Sequence, residues 1–206
     1  MSLIVCDHPL AAHYLAELRD RSTLPDQYRR LARELTTLLT LEATRHIRTR
    51  QITVETPLEY TEGRRLDQAI AAVPVLRAGL GMLGPVTAMF PDVRVGYIGL
   101  ERNEETAVAR SYYMKLPQLA GCYCLCLDPM LATGGSAAQA IAFMKSHGAE
   151  RVTMVSIIAA PEGVEHLQSL HPDVDIHTAA LDRGLNELKY ILPGLGDFGD
   201  RLYGTF

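Results

Sequence analysis

The stretch CYCLCLDPMLATGGSAAQAIAFM, residues 122–144, joins two kinds of structure. Its first six residues are apolar and strand-like, and the segment after the second glycine is typical of a helix. Between them stand one acid, Asp128, a proline, and the run Thr133-Gly134-Gly135-Ser136. The apolar residues require burial, whereas the acid and the glycine run require a polar partner. We therefore predict that this junction lies where the edge of a sheet meets a polar ligand.

The glycine pair has the properties of an anion site. Because Gly134 and Gly135 lack Cβ atoms, successive backbone N–H groups can converge there, and the helix that follows adds its positive end. Thr133 and Ser136 can add hydroxyl donors. A hydrogen bond to a charged oxygen contributes about 1.5–3 kcal/mol, against about 0.3–1 kcal/mol for the helix end, so the donors decide the affinity. The pattern predicts a phosphate monoester site, which Asp128 cannot join because like charges repel; this acid must serve a hydroxyl, a metal or a developing positive charge.

Length and composition fit one soluble domain, residues 1–206, since a chain of this size buries roughly 70% of its unfolded surface. Apolar residues make up 48% and charged residues 21%, and the net charge of −4 does not suggest a nucleic-acid-binding surface. No apolar run approaches the roughly 20 residues of a membrane-spanning helix, and MSLIVCDHPL does not have the pattern of a secretion signal. We therefore expect a cytoplasmic protein with no membrane partner.

The cysteines and histidines do not predict a metal site. Cys122, Cys124 and Cys126 alternate along the proposed strand, are too close to pair with one another, and lack zinc-type spacing. Buried thiols are the simplest interpretation. The seven histidines are scattered along the chain. We expect no metal held by the protein alone.

From residue 69 onward, apolar strand-like segments alternate with helical ones. The strand-like segments are AIAAVPVL, VRVGYIGL, CYCLCL, VTMVSIIAA and VDIHTAAL. Apolar strands spaced by helices predict an α/β fold with a doubly wound, mainly parallel sheet. Ligands of such folds bind outside the carboxyl ends of the strands. The loops that begin at Arg77, Glu101, Asp128, Ala160 and Asp182 should therefore open toward one crevice.

The flanking segments are less regular. The spacing of apolar residues predicts an amphipathic helix over 26–49, which is equally suited to core packing or to an interface. Residues 51–60 read as extended structure interrupted by Pro57 and indicate a projecting arm. Residues 108–121 predict a hairpin strand, either a mobile flap or a plain surface hairpin. The tail from Asn186 has no period of 3.6 or 2, and a long structureless run is uncommon unless it has a function.

LDPMLATGGSA, residues 127–137, resembles the phosphoribosyl-pyrophosphate (PRPP) signature of the type I phosphoribosyltransferases. The single acid before Pro129 is similar to the uracil phosphoribosyltransferase branch. Further blocks resemble that branch, in order and over nearly the whole chain: VPVLRAGLGM (73–82), RNEET (102–106), AAPEG (159–163), HPD (171–173) and YILPGLGDFGDRLYGT (190–205).

The resemblance implies a fold with a C-terminal base-binding hood. It also implies a reaction of pyrimidine salvage in which uracil and PRPP give UMP and diphosphate, with Mg²⁺ bound on the diphosphate of PRPP. Members of the family commonly form homodimers or larger homo-oligomers, and some are activated by GTP. The sequence itself identifies neither an effector site nor the number of subunits.

The resemblance also assigns the PRPP site. Arg77 and Arg102 are planar, permanently charged groups at neighbouring strand ends, suited to a leaving diphosphate, although either alone would ordinarily read as a surface salt bridge. Asp128 is expected to bind a ribose hydroxyl and to favour an oxocarbenium-like transition state, so these three are the expected catalytic residues. The implied PRPP-binding residues are Arg77, Arg102, Asp128, Pro129, Met130, Leu131, Ala132, Thr133, Gly134, Gly135, Ser136 and Asp197.

The implied uracil-binding residues lie in the tail: Ile191, Gly196, Asp197 and Phe198. Glycines and a proline there can hold a fixed backbone that reads the alternating acceptors and donors of uracil. Cytosine would leave buried groups unpaired at a cost of about 1–3 kcal/mol each. For Phe198, stacking on the base and closing a small core are equally compatible with the sequence.

Two positions depart from the family pattern, since relatives usually carry Tyr where this chain has Glu101 and Gly where it has Lys189.

Three other interpretations compete with this assignment. A purine or orotate phosphoribosyltransferase would lack the PGLGD block, an RNA-binding pyrimidine regulator on the same fold would need a basic face, and an inactive dimer module would need a broken site.

Overall fold

The computed structural model describes residues 2–102 and 109–205, and describes the backbone alone at residues 101, 102 and 109–111. The strands are β1 (Leu3–Val5), β2 (Thr49–Glu55), β3 (Tyr60–Leu66), β4 (Ile70–Leu76), β5 (Arg94–Val95), β6 (Tyr97–Arg102), β7 (Ala109–Lys115), β8 (Tyr123–Leu127), β9 (Met130–Leu131), β10 (Val152–Ala159), β11 (Asp175–Leu181), β12 (Gly184–Leu185) and β13 (Ile191–Leu192). The helices are α1 (Pro9–Arg19), α2 (Pro25–Ala43), α3 (Leu80–Met89), α4 (Gly135–Ser146), α5 (Pro161–Leu170) and α6 (Phe198–Tyr203).

The main sheet confirms the predicted α/β fold. Its strand order is β1-β11-β10-β8-β4-β6-β7, with β5 beside β4 and β9 beside β10. The neighbouring strands run parallel except β6 and β7, which form an antiparallel pair at one edge. In the part of the chain that the structure describes, no helix is long and apolar enough to cross a membrane.

Helices cover both faces of the sheet, as the unbroken apolar strands predict. Side chains alternate along each central strand: Leu125 and Leu127 pack with α1, α2, α3 and α6, whereas Cys124 and Cys126 pack with α4 and α5 on the other face. The thiols of these two cysteines are buried, and burial raises the pKa of Cys124 to about 12. The expectation of buried thiols is confirmed.

The predicted arm is an antiparallel hairpin of β2 and β3, which pair with each other and lie outside the main sheet. Pro57 lies in the connection between the two strands. At its tip, Leu58 is 96% exposed and Tyr60 is 69% exposed. The hairpin therefore projects from the body of the protein and buries little of its own surface.

The predicted helix over 26–49 ends earlier than expected. It begins at Pro25 and ends at Ala43, and the prediction of helix beyond that residue is wrong. From Thr49 onward the backbone pairs with β3, beginning with Leu66, and a residue in such a ladder cannot keep a helical backbone. The apolar face is as predicted, since Tyr28, Leu31 and Leu35 are buried.

The expectation of a structureless tail is also wrong in part. Residues from 184 form the small antiparallel pair of β12 and β13, followed by the short helix α6. Phe198 and Leu202 on α6 are buried against α2, and burial of two such side chains contributes about 3–6 kcal/mol. A six-residue helix gives too short a pattern for periodicity to detect, and tertiary packing holds it in place.

The predicted strand over 108–121 is present as β7, at the antiparallel edge of the sheet. Tyr112 of this strand lies against Gly99 of β6, where a Cβ atom would be 2.5 Å from its ring. Residue 108 of the expected flap and residues 103–106 of the RNEET block lie outside the described residues. The choice between a flap and a plain hairpin stays open.

The turn before β13 holds one of the two departures from the family pattern. Lys189 has a φ of 65°, in the left-handed region that disfavours residues with a Cβ atom. Its N–H donates to the carbonyl of Asn186 in a turn that joins β12 to β13. This backbone explains why a glycine suits the position.

We expect Lys189→Gly to raise the free energy of unfolding by about 0.5–1 kcal/mol, because relief of the left-handed strain exceeds the entropy that glycine adds to the unfolded chain. Urea unfolding monitored by circular dichroism measures the change. The matched control is Glu187→Gly in the same turn, where φ is not positive and the same substitution should destabilise. A loss of stability in both variants would contradict the prediction.

Candidate active site

The carboxyl ends of β4, β6 and β8 carry the residues predicted to act on PRPP. Register pairs Pro74 with Leu127 and Leu76 with Gly99, so the three strand ends lie side by side in the order β8, β4, β6. Asp128 follows β8, Arg77 follows β4 and Arg102 is the last residue of β6. The expected convergence of these loops at one edge is therefore observed, although the side chains of Arg102 and Glu101 are outside the description.

Glycine contacts draw the loops together. A Cβ atom at Gly79 would lie far inside van der Waals contact with the carbonyl oxygen of Leu127, the residue before Asp128. Gly79 is the N-cap residue of α3, and its N–H donates to the carbonyl oxygen of Val75 in the tight turn that precedes this helix. The turn that carries Arg77 is thus seated directly on the loop that carries Asp128.

The predicted phosphate loop is built as the sequence indicates. Gly134 is the residue before α4 and has a φ of 79°, and no side chain bonds to the exposed N–H groups at the start of this helix. A Cβ atom at Gly134 would lie 2.6 Å from the carbonyl oxygen of Gly163 in α5. Gly135 has open space beside it, and the side chains of Thr133 and Ser136 remain partly accessible. Free donors at a helix start with an open approach are suited to an anion, so the phosphate role of this loop stays a prediction.

Asp128 is the acid of this loop, and its environment is not that of an ordinary surface carboxylate. Its Oδ1 accepts a hydrogen bond of 3.3 Å from the N–H of Met130. Burial raises the pKa of the carboxyl group to about 6, and the bond from Met130 opposes this rise. The carboxylate is therefore half-buried and poorly solvated beside the phosphate loop, where a developing positive charge would stabilise it.

The C-terminal segment from β12 to α6, residues 184–203, corresponds to the expected hood. It encloses a cavity of about 350 Å³ together with the loops after β4 and β8. Ala78, Met130 and Ala132 line it from the strand ends, and from the tail it is lined by Leu188, Lys189, Tyr190, Ile191, Gly196, Asp197, Phe198 and Gly199. The four predicted uracil-binding residues thus lie around one space that also reaches the PRPP loop. Sequence reasoning missed Ala78 and Tyr190, for which the sequence holds no separate chemical signal.

The tail residues hold different positions around this cavity. The side chain of Asp197 is exposed and caps α6 by accepting a 2.9 Å hydrogen bond from the N–H of Asp200. Ile191 is buried. The ring of Phe198 is 1% exposed and meets the ring of Tyr28 edge-on at 5.3 Å, so the core-closing alternative describes its side chain. Contact of Phe198 with a base, by backbone or ring edge, stays a prediction.

Another contact ties the end of the tail to the arginine loop. The hydroxyl of Tyr203 donates a 3.2 Å hydrogen bond to the carbonyl oxygen of Arg77, whose side chain is exposed.

Among residues 2–100 and 112–205, no group of three or more His, Cys, Asp or Glu side chains could hold a metal ion.

A larger cavity of about 630 Å³ lies between α2, α3 and α6. It contains none of the predicted site residues. Arg29, Arg30 and Arg33 of α2 line one wall, and Leu80 and Gly81 of α3 line another. Its size alone does not make it the catalytic centre, because Met130 and Ala132, of the segment that joins Asp128 to the glycine pair, line the smaller cavity.

An α/β sheet whose strand ends carry a glycine phosphate loop, a neighbouring acid and paired arginine loops beneath a C-terminal hood defines a type I phosphoribosyltransferase. The uracil phosphoribosyltransferase family model matches residues 5–205. The chain belongs to the uracil phosphoribosyltransferase family.

Individual relatives agree over the full length. The chain is 50% identical to a uracil phosphoribosyltransferase of Fervidobacterium nodosum, over 98% of this chain and 99% of the relative. It is 48% identical to that of Dictyoglomus thermophilum, with the same coverage. The solved structure of the AQ2163 protein from Aquifex aeolicus superposes with a TM-score of 0.93 at 37% identity and covers 98% of both chains.

We expect Asp128→Asn to stabilise the protein at neutral pH. The folded carboxyl group has a pKa of about 6 and the unfolded group the ordinary value of 3.8, so the folded state holds a proton that the unfolded state releases between these values. Stability of the parent protein therefore falls as the pH rises through this window. Asn cannot ionise and avoids the loss, which is about 1–3 kcal/mol for a partly accessible group.

Chemical unfolding of both proteins at pH 3.5 and pH 7.5 measures this effect. The stability difference between variant and parent should grow in favour of the variant at the higher pH. A difference that is independent of pH would show that burial does not perturb this carboxyl group.

Proposed function

We propose that this chain transfers the phosphoribosyl group of PRPP to N1 of uracil, forming UMP and releasing diphosphate. The observation that carries the proposal is the cavity of about 350 Å³ that the hood residues share with Met130 and Ala132, which directly precede the glycine run. A base in this cavity and a sugar phosphate on the loop would lie next to each other. Such placement converts a bimolecular step into one within a single complex.

The anionic groups of PRPP are assigned to the loops at the strand ends. The backbone N–H groups and hydroxyls of Thr133–Ser136 would bind the 5′-phosphate at the start of α4. Arg77 and Arg102 would bind the diphosphate, which gains charge as its bond to the sugar breaks. The remaining residues of the loop, Pro129 to Ala132, would lie beside the ribose. Asp197 would contact PRPP from the side of the hood.

Asp128 is proposed to act on the sugar. Its carboxylate would accept a hydrogen bond from a ribose hydroxyl and stabilise positive charge at the anomeric carbon. The carbon–oxygen bond to diphosphate breaks, the bond to N1 of uracil forms, and the N1 proton is released. Because positioning and electrostatics supply the acceleration, no covalent nucleophile is required.

Uracil is proposed to bind to the backbone of Ile191 and of Gly196–Phe198. Fixed N–H and C=O groups would match the alternating acceptors and donors of uracil and leave cytosine with unpaired groups. The exposed backbone of Gly196, with a φ of 80°, is accessible from the cavity.

Mg²⁺ is proposed to enter bound to the diphosphate of PRPP. The donor set agrees with this, because the described part of the chain offers Asp128 at the site and no cluster of protein ligands. When bound, the ion would neutralise charge on the leaving diphosphate. The protein's own contribution there would be the guanidinium groups.

We expect Arg77→Ala to lower kcat by about 100- to 1000-fold while the fold is retained, because the arginine would act mainly on the charge that develops during the reaction. The assay mixes the protein with PRPP and Mg²⁺ and with each of uracil, cytosine, hypoxanthine and orotate, and follows nucleotide formation. Circular dichroism checks the fold. An unchanged rate in a folded variant would refute the diphosphate role, and nucleotide formation from another base alone would refute the assignment of uracil.

We also propose that the chain forms a homodimer or higher homo-oligomer and responds to GTP. The projecting hairpin supports self-association, because Leu58 and Tyr60 at its tip are 96% and 69% exposed among the described residues. The cavity beside α2 supports an anionic effector, because three arginines, Arg29, Arg30 and Arg33, line it against two acids, Asp26 and Glu34, and none of the five is in a described ion pair. Its wall at Leu80 adjoins the turn of Arg77, which gives a route from effector to catalytic loop.

We expect GTP to raise the rate at subsaturating PRPP. In Arg33→Ala the GTP concentration that gives half-maximal stimulation should rise about tenfold, since one guanidinium–phosphate contact is lost. Arg21→Ala, at a surface outside this cavity, serves as the control. Stimulation of equal strength in Arg33→Ala would place any effector elsewhere.

A further inference from the structure

The backbone between the two predicted base-binding stretches is held by one residue with both polar groups engaged. The N–H of Gly194 donates to Oδ2 of Asp182 at 3.0 Å, and its carbonyl oxygen accepts a 2.7 Å bond from Nη1 of Arg19. Gly194 has a φ of 64°, and a Cβ atom there would collide with the carbonyl oxygen of Ile191. The position of Gly194 therefore determines where the Ile191 carbonyl lies.

Arg19 and Asp182 form a two-bonded ion pair behind this segment. The distances are 2.9 Å from Nη1 to Oδ2 and 2.6 Å from Nη2 to Oδ1. The carboxylate is 4% exposed and the guanidinium side chain 24% exposed, so water competes little for either group. Arg19 ends α1 and Asp182 follows β11, which gives the pair two rigid supports.

A second arginine holds the other end of the segment against the same helix. Nη1 of Arg201 donates to the carbonyl oxygens of Leu18 and, at 2.8 Å, Leu195, and Nη2 donates to that of Asp20 at 2.5 Å. Its guanidinium lies 4.5 Å from the ring centre of Tyr28. Residues 194–196 are thus fixed to the carboxyl end of α1 from both sides.

We propose that Arg19 and Asp182 are positioning residues for the nucleobase. Through Gly194 they fix the Ile191 carbonyl and the start of the Gly196–Phe198 segment, and so they set the affinity for uracil separately from the affinity for PRPP. The proposed phosphate loop lies between β8 and α4, and the side-chain hydrogen bonds of Arg19 and Asp182 are with each other and with Gly194, not with that loop. This proposal rests on the proposed function of the hood.

The test uses Asp182→Asn, which keeps the shape of the side chain and removes its charge, and Arg19→Lys, which keeps the charge and removes the two-bonded geometry. We expect the KM for uracil to rise about tenfold in Asp182→Asn and by a smaller factor in Arg19→Lys, whereas the KM for PRPP changes less than about twofold. Arg19→Lys retains a cation beside Asp182 and carries the test if Asp182→Asn does not fold.

The matched control is Arg151→Gln, which removes the 3.1 Å bond from Arg151 to Asp175 at the opposite end of β11. It should lower the unfolding temperature and leave both KM values unchanged. Equal changes in both KM values for the Arg19 and Asp182 variants, or lower stability with an unchanged KM for uracil, would overturn the positioning role. If the parent protein converts no uracil with PRPP, the proposed function itself fails, which this comparison separates from failure of the positioning role.

Discussion

The catalytic edge of the sheet depends on close backbone contacts that a Cβ atom would prevent. Gly79 rests on the carbonyl of Leu127, and Gly134 and Gly163 bring the phosphate loop against the start of α5. Without these contacts the loops after neighbouring strands would stand apart by the width of a side chain. The close contact of the arginine turn with the residue before the acid is what would allow both to meet one small ligand in the proposed site.

This closeness also creates the electrostatic character of the site. Asp128 lies among apolar strand residues and keeps one hydrogen bond from the backbone, so its negative charge is poorly stabilised in the free protein. A substrate that brings positive charge to the sugar carbon would relieve that condition, whereas a second anion would worsen it. In the proposed site the phosphate donors would belong to the start of α4 and the acid to the end of β8, so that one short segment would meet groups of opposite charge.

The sequence predicts those parts of the fold and site that local chemistry determines. The apolar runs of β4, β8 and β10 predict buried parallel strands, and the Gly134–Gly135 pair predicts the start of α4. The end of α2 was predicted too late, because the apolar spacing does not define where the helix stops and the pairing with β3 from Thr49 onward is a long-range constraint. Helix α6 was missed because six residues carry too little pattern and its position depends on Tyr28, far away in the sequence. The contact of Arg19 with Asp182 spans 163 residues and leaves no local signal at all.

The separation of the two half-sites along the chain has a consequence for biosynthesis. The phosphate loop ends at Ser136, whereas the hood begins near Gly184 and is completed by α6. A ribosome therefore makes the proposed sugar-phosphate half well before the proposed base half, and α1, which anchors the hood, is made before both. Until the closing segment has been synthesised, the carboxyl end of α1 lacks the hydrogen-bond partners that Gly194 and Arg201 give it in the folded protein.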